Sequence, residues 1–308
     1  GPGNDGKLFA AAITPDGAMV AVGGWSADND VYLFDRSSGV LRHRITGLPD
    51  VVTQLAFSPD GRTLAIGLWG VNGVRLFSSD SGWHSSRETG SDNRYEGAVS
   101  GARFSWDGSR LAVASTDGVI RVYAATQQTL SLVASTRTTQ RRQPFGVAWS
   151  PDNRLLAVGF SDSTSVAVLN ADTLQLAYAP NTTGISGGSL SAVSWTRDGE
   201  NLLAAGTSRG ADRLNISRRW RQGGKGAASD ESLASNSVVG VHALADGRVV
   251  YASAEPSWGW VKETANGYTN QSFGSALADF RNARSAFRLS RDGAAVAFPL
   301  NSSQGAGE

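Results

Sequence analysis

One short turn recurs seven times along the chain. Thr14-Pro15-Asp16-Gly17, Ser58-Pro59-Asp60-Gly61, Ser105-Trp106-Asp107-Gly108, Ser150-Pro151-Asp152-Asn153, Thr196-Arg197-Asp198-Gly199, Leu244-Ala245-Asp246-Gly247 and Ser290-Arg291-Asp292-Gly293 follow one another at intervals of 44, 47, 45, 46, 48 and 46 residues. Each lies between two apolar runs. Asp-Gly flanked by alternating apolar residues is a hairpin signal. A period in the mid-forties is the length of one four-stranded propeller blade. The 308 residues therefore read as one array rather than two domains, because no segment escapes the period.

Aligned on the turn Asp, the repeats agree in detail. Three residues before it stand Ile13, Phe57, Phe104, Trp149, Trp195, Ala243 and Leu289. Five before it stand Ala11, Leu55, Ala102, Val147, Val193, Val241 and Phe287. This alternation is the period-2 mark of a strand. Six before it, Gly101, Gly146, Gly240, Ala10, Ala192 and Ala286 are small, as an innermost strand crowded against an axis requires; Gln54 is the exception. A second strand follows each turn, and a third follows in most repeats, as in Val31–Asp35 and Ile120–Tyr123. The predicted fold is all-β: a seven-bladed propeller with blades starting near residues 8, 51, 98, 144, 190, 238 and 284.

The pattern resembles the WD40 family over nearly the whole chain. Its best matches are the Ser-Pro-Asp-Gly turns and the Leu33-Phe34-Asp35 close of the first repeat. No repeat has the family's Gly-His, and Phe or Tyr replaces Trp in the Trp-Asp dipeptide. The family's buried hydrogen-bond network is thus expected to be missing from most blades. More narrowly, Gly3-Asn4-Asp5-Gly6-Lys7, Gly23-Gly24-Trp25, Arg218-Arg219-Trp220 and Ala278-Asp279-Phe280-Arg281 resemble segments of degenerate bacterial arrays attached to caspase-like peptidase domains. That resemblance implies a bacterial source, cytoplasmic or periplasmic, and a role beside a peptidase. The peptidase chemistry itself is not expected in this chain, which has no cysteine.

The seventh repeat is short. A blade starting near residue 284 would end near residue 330, about one period on, but the sequence ends at Glu308. Half a blade leaves an unpaired strand edge, an aggregation hazard. The expectation is that its outer strands come from downstream sequence, from the native N-terminus, or from another domain or chain.

Several short motifs have a chemical reading and a plainer one. Gly184-Ile185-Ser186-Gly187-Gly188 has the nucleophile-elbow order, but that chemistry needs a strand-to-helix turn and no helix pattern follows. It reads as a loop. Arg218-Arg219-Trp220-Arg221 and the glycines after it lack the order of a phosphate loop and read as a strand and tight turn. Arg137, Arg141 and Arg142 join the third and fourth repeats, where three guanidiniums could grip an acidic partner; a solvated loop is the plainer reading. The histidines, His43, His84 and His242, lack metal-ligand spacing, and no metal or cofactor is expected. His242 shares its register, four before the turn Asp, with Arg103 and Arg288, and the three are expected to line the central channel.

The loops between second and third strands open on one face. They are expected to carry Trp25, Trp69, Phe160, Trp258 and Trp260. Large aromatics at loop tips suit a protein-binding surface; packing under their own loops is the alternative. With a net charge of +1 and no long apolar stretch, neither nucleic acid nor membrane is implied as a partner. The leading expectation is a non-enzymatic interaction or sensor module of a larger protein. A propeller hydrolase of the lactonase kind and a glycan-binding propeller are the alternatives. The first would need axial carboxylates, and the inner register supplies none.

Overall fold

The computed structural model describes residues 7–80, 82–139, 142–185, 187–254, 257–265, 267–274, 287–290 and 295–297. Six four-stranded antiparallel sheets follow one another, each a meander in chain order. The first holds β1 (Lys7–Ile13), β2 (Met19–Trp25), β3 (Val31–Asp35) and β4 (Leu41–Ile45), the second β5 (Val52–Phe57), β6 (Thr63–Leu68), β7 (Val74–Ser78) and β8 (Arg87–Asp92). The third holds β9 (Val99–Phe104), β10 (Arg110–Ser115), β11 (Val119–Ala125) and β12 (Leu130–Arg137), the fourth β13 (Pro144–Trp149), β14 (Leu155–Phe160), β15 (Val166–Asn170) and β16 (Leu176–Tyr178). The fifth holds β17 (Ala192–Trp195), β18 (Asn201–Arg209), β19 (Asn215–Arg221) and β20 (Ala228–Ala234), the sixth β21 (Val238–Ala243), β22 (Arg248–Ser253), β23 (Ser257–Thr264) and β24 (Gly267–Gly274). A two-stranded pair, β25 (Arg288–Leu289) and β26 (Val296–Ala297), comes last. The architecture is all-β and propeller-like.

The turns explain why the period is so regular. In the third sheet the Ser105 hydroxyl donates to the Asp107 carboxylate at 2.6 Å and accepts the Arg110 N–H at 2.9 Å. The same carboxylate accepts the Ser109 N–H at 3.0 Å. The Gly108 N–H closes on the Ser105 carbonyl, and Gly108 takes φ 75°, the left-handed conformation that favours glycine. Ser58, Ser150 and Thr196 build the same circuit. Ser290 accepts the Ala295 N–H at 2.9 Å, as its counterparts do, although Asp292-Gly293 lies outside the described residues. These bonds hold the turn carboxylates below the usual range despite partial burial. The sixth repeat has Leu244 at the hydroxyl position, and Asp246 pairs instead with Arg248 at 2.6 Å.

The core is a ring of separate clusters, each between neighbouring sheets. Ala10 and Ala12 pack with Leu55 and Ile66 of the second sheet. Ala56 packs with Val99 and Val113 of the third, and the pattern continues round to Leu203 with Val241 and Tyr251. Phe287 packs on Val250 and Ala252, while Ala295 and Ala297 pack on Ala11 and Ile13, so the last strand pair lies against the first sheet. Inner strands approach closely: a Cβ on Gly101 would stand 2.1 Å from the Phe145 carbonyl oxygen, and one on Gly146 2.4 Å from that of Ser191. Gln54 replaces the small residue at this level and uses its length to donate to the Ser100 carbonyl at 2.8 Å. Indoles also stitch adjacent sheets. Trp149 donates to the Arg103 carbonyl at 3.0 Å and Trp195 to that of Ala148 at 3.2 Å.

The register four before the turn Asp borders the axial space: Ala12, Ala56, Arg103, Ala148, Ser194 and His242 all line it. Ala12 and Ala56 are buried in inter-sheet clusters. The longer and polar members of that register, Arg103, Ser194 and His242, bring its polar groups to that space.

Candidate functional site

Two surfaces and one buried network concentrate the polar and aromatic chemistry. The first surface is the face of the loops joining second to third strands. Trp25 closes β2 and is 58% exposed; Trp69, just past β6, is 45% exposed, and its loop neighbour Val71 is 58% exposed. The two loops belong to adjacent sheets. Asp50 pins the second through the Asn72 amide at 2.8 Å. Gly70 and Gly73 take φ 61° and 63° beside it. In the first loop, Arg44 pairs with Asp28 at 2.9 Å and with the buried Asp30. The tryptophans therefore stand on anchored loops.

Other aromatics expected on this face are elsewhere. Phe160 is only 4% exposed: β14 runs through it, it pairs with Pro144, and the Arg142 guanidinium lies 6.0 Å from its ring. Trp258 and Trp260 sit within β23, opposite Ala252 and Val250, because that strand begins at Ser257. Trp258 packs against Phe273 with ring centroids 4.6 Å apart. Their placement corrects the expectation that they occupy loop tips.

The arginines between the third and fourth sheets are engaged locally. Arg137 donates to the Asp117 carbonyl at 2.5 Å and pairs with Glu96 at 3.3 Å. Arg142 donates to the Ser163 hydroxyl at 2.8 Å. Arg141 lies outside the described residues, as does Ser186 of the Gly-x-Ser-x-Gly segment. The Arg218–Arg221 run is also absorbed by structure: Arg218 forks onto Asp230 with two bonds of 2.6 Å, and Arg219 and Arg221 both reach Glu263 of the next sheet.

The second surface is an axial funnel of about 290 Å³ opening on the face of the Asp-Gly turns. All seven repeats contribute to its lining, from Ala12 and Ile13 to Ser290. Arg103, Ser194 and His242 line it, with walls that include Phe57, Trp106 and Trp149. Arg103 and His242 also line a narrower cavity further along the axis. His242 lies beside Phe287, ring centroids 6.0 Å apart. Of Arg288 only the backbone is described. Burial pushes the Arg103 guanidinium down to about 10 from 12.5, which leaves it charged at neutral pH. Among the described residues, no group of three His, Asp or Glu side chains is placed to hold a metal ion.

The network lies in the third sheet and had no forecast from its motif. Asp117, in the β10–β11 turn, has a side chain only 2% exposed. It accepts from the Ser115 hydroxyl, the Val119 N–H at 2.9 Å and Arg121 at 3.1 Å. Arg121 also donates to Ser115 at 2.8 Å and to the Arg94 carbonyl at 3.0 Å, and its guanidinium stacks 3.8 Å from the Tyr95 ring centroid. The Tyr95 and Tyr123 hydroxyls meet at 2.8 Å, and Tyr123 donates to Asp92, which Arg94 grips from outside. Burial pushes both phenols well above their ordinary range. The signal in the sequence was Ser115-Thr116-Asp117-Gly118, a second Asp-Gly within one period.

Residues 92–124, which begin at Asp92 and end just past Tyr123, match the family model of the WD domain, G-beta repeat. This stretch is a WD40 repeat. A search of curated proteins finds no match. WD40 repeats generally mediate protein–protein interactions, and the repeat at residues 92–124 suggests such a module.

Proposed function

We propose that the chain is a protein-interaction propeller of seven blades that captures a partner through the loop face bearing Trp25 and Trp69. One observation carries this reading: two tryptophans on neighbouring, pinned loops are about half exposed on the same face. A tryptophan in water forfeits the burial free energy of a large apolar surface, and partners recover it; Trp is accordingly enriched at binding hot spots. Val71 extends the patch, and the Arg44, Asp28 and Asn72 groups supply a polar rim.

Trp25→Ala combined with Trp69→Ala should leave the thermal midpoint and far-ultraviolet spectrum unchanged, because neither side chain is part of a buried cluster. Capture of protein partners from a lysate of the source organism should fall at least tenfold. Unchanged capture would remove the loop face from the function. Capture competed away by soluble oligosaccharide would move the reading to glycan recognition.

A finer reading makes the chain a sensor beside a caspase-like peptidase domain in a bacterium. It rests on the short segments Gly23-Gly24-Trp25 and Arg218-Arg219-Trp220 and the two others quoted with them. The gene's flanking sequence tests it directly: no peptidase domain encoded in frame or alongside would end that reading.

A further inference from the structure

Among the described residues, Arg103 is a cation without a counter-charge. Arg44, Arg121 and Arg218 each face a carboxylate. Arg103 donates only to the neighbouring Ala102 carbonyl, at 3.3 Å, and has no charged neighbour among the described residues. It stands where the axial funnel meets the narrower cavity beyond it, and among the described residues neither space is lined by an aspartate or a glutamate. Withdrawing a charge from water is costly unless a partner replaces the lost hydration. The guanidinium remains protonated in spite of burial, so the partner it favours is an anion.

The funnel walls say which kind of anion. Phe57 and Trp106, both half-buried, make the accessible part of an aromatic cup in the funnel wall, and the buried Trp149 and Trp195 line it from behind. An inorganic ion would answer the charge but leave the cup against water. A neutral aromatic would fill the cup but leave the cation uncompensated. The Ser194 hydroxyl, which accepts the Ala243 N–H at 3.2 Å, keeps its own proton available for a ligand oxygen in the same funnel. A guanidinium holds a carboxylate through two parallel N–H donors. The volume, about 290 Å³, is at the lower end of small-molecule pockets, roughly 300–1,000 Å³.

We propose that the axial funnel is a binding site for a small organic carboxylate with a flat aromatic body, its carboxylate on Arg103 and its ring against Phe57 and Trp106. The site opens on the turn face, away from Trp25 and Trp69, and is independent of the partner surface there. It would give the module a small-molecule input.

The test is isothermal titration calorimetry of the purified chain with three probes: 2-naphthoate, 2-naphthylmethanol and inorganic phosphate. Naphthoate should bind with a dissociation constant on the order of tens of micromolar. The alcohol and phosphate should each bind at least tenfold more weakly. Arg103→Met should reduce naphthoate affinity to that of the alcohol, Arg103→Lys should retain part of it, and Trp25→Ala should have no effect. The acid-to-alcohol comparison uses the wild-type chain alone, so a variant that fails to fold does not shield the proposal. Equal affinity for acid and alcohol, phosphate binding as tight as naphthoate, or no heat from naphthoate up to about 1 mM would each overturn it.

Discussion

Replacing Asp117 by asparagine removes one negative charge from a buried pair and keeps the shape of the side chain. The side chains of Asp117 and Arg121 are 2% and 9% exposed, with 3.1 Å between Oδ2 and Nη2. Breaking a buried pair by neutralising one partner typically costs about 3–5 kcal/mol, because the remaining charge stays out of water without compensation. Arg121 keeps its bonds to Ser115 and to the Arg94 carbonyl and its stack on Tyr95, which places the expected loss near the lower end. For about 308 residues, with an unfolding entropy of roughly 2.1 cal/mol/K per residue, 3–5 kcal/mol lowers the melting temperature by about 5–8 °C. The assay is a double-mutant cycle in urea with Asp117→Asn, Arg121→Met and the pair. Replacing both charged partners can be nearly neutral, so the double variant should lose less than Asp117→Asn alone, leaving a coupling energy of about 2 kcal/mol or more. A single variant within about 0.5 kcal/mol of wild type, or a cycle that is additive, would show that the pair does not hold the third sheet.

Two further outcomes follow from the inner strands and from the contact between the fifth and sixth sheets. Gly101→Ala forces a Cβ against the Phe145 backbone oxygen and should cost about 2–3 kcal/mol, while Gly240→Ala, whose nearest neighbours are Phe287 side-chain atoms at 3.4 Å, should cost less than about 1 kcal/mol; equal losses in denaturant titration would refute the axial-crowding argument. Burial pushes the Glu231 carboxyl up to about 7, with Arg219 drawing it down and Glu263 adding to the rise. Because the folded value lies above the unfolded 4.5, the stabilising contribution is complete below pH 4.5 and is lost as pH rises through about 7. Glu231→Gln should therefore flatten the fall in urea midpoint across that window, and a wild-type slope in the variant would contradict the assignment.

Much of the fold was legible because its signals are local. The Ser/Thr-x-Asp-Gly turn binds itself, so its residues announce it wherever it occurs. The small residues six before the turn follow from crowding between neighbouring inner strands, and Gln54 departs from the rule by reaching sideways to Ser100. The site was less legible. Whether an aromatic near a strand end is exposed depends on where the strand stops: β14 runs on to Phe160 and takes it inside, and Trp258 lies half-buried within β23. Arg103 was found by register, but its lack of a counter-charge depends on what six other repeats contribute to the axis. Nothing local to Arg121 and Asp117 signals their burial, which depends on Tyr95, stacked on the guanidinium and bonded through its hydroxyl to Tyr123.

The Ser58 turn closes its own ring of hydrogen bonds between Ser58 and Thr63, to which the adjoining third sheet adds only the Gln127 amide on Asp60 at 3.3 Å. A coding segment of one period can thus be duplicated and its hairpin will form at once in the copy. Between sheets the contacts are mainly apolar, which tolerates exchange so long as volume is kept. Divergence then accumulates at the rim, where the outer strand ranges from eight residues in β12 to three in β16. The array is built to be lengthened and altered by copying, with its novelty confined to its circumference and to the few inner-register positions, such as Arg103, that a copy can change without disturbing the turn.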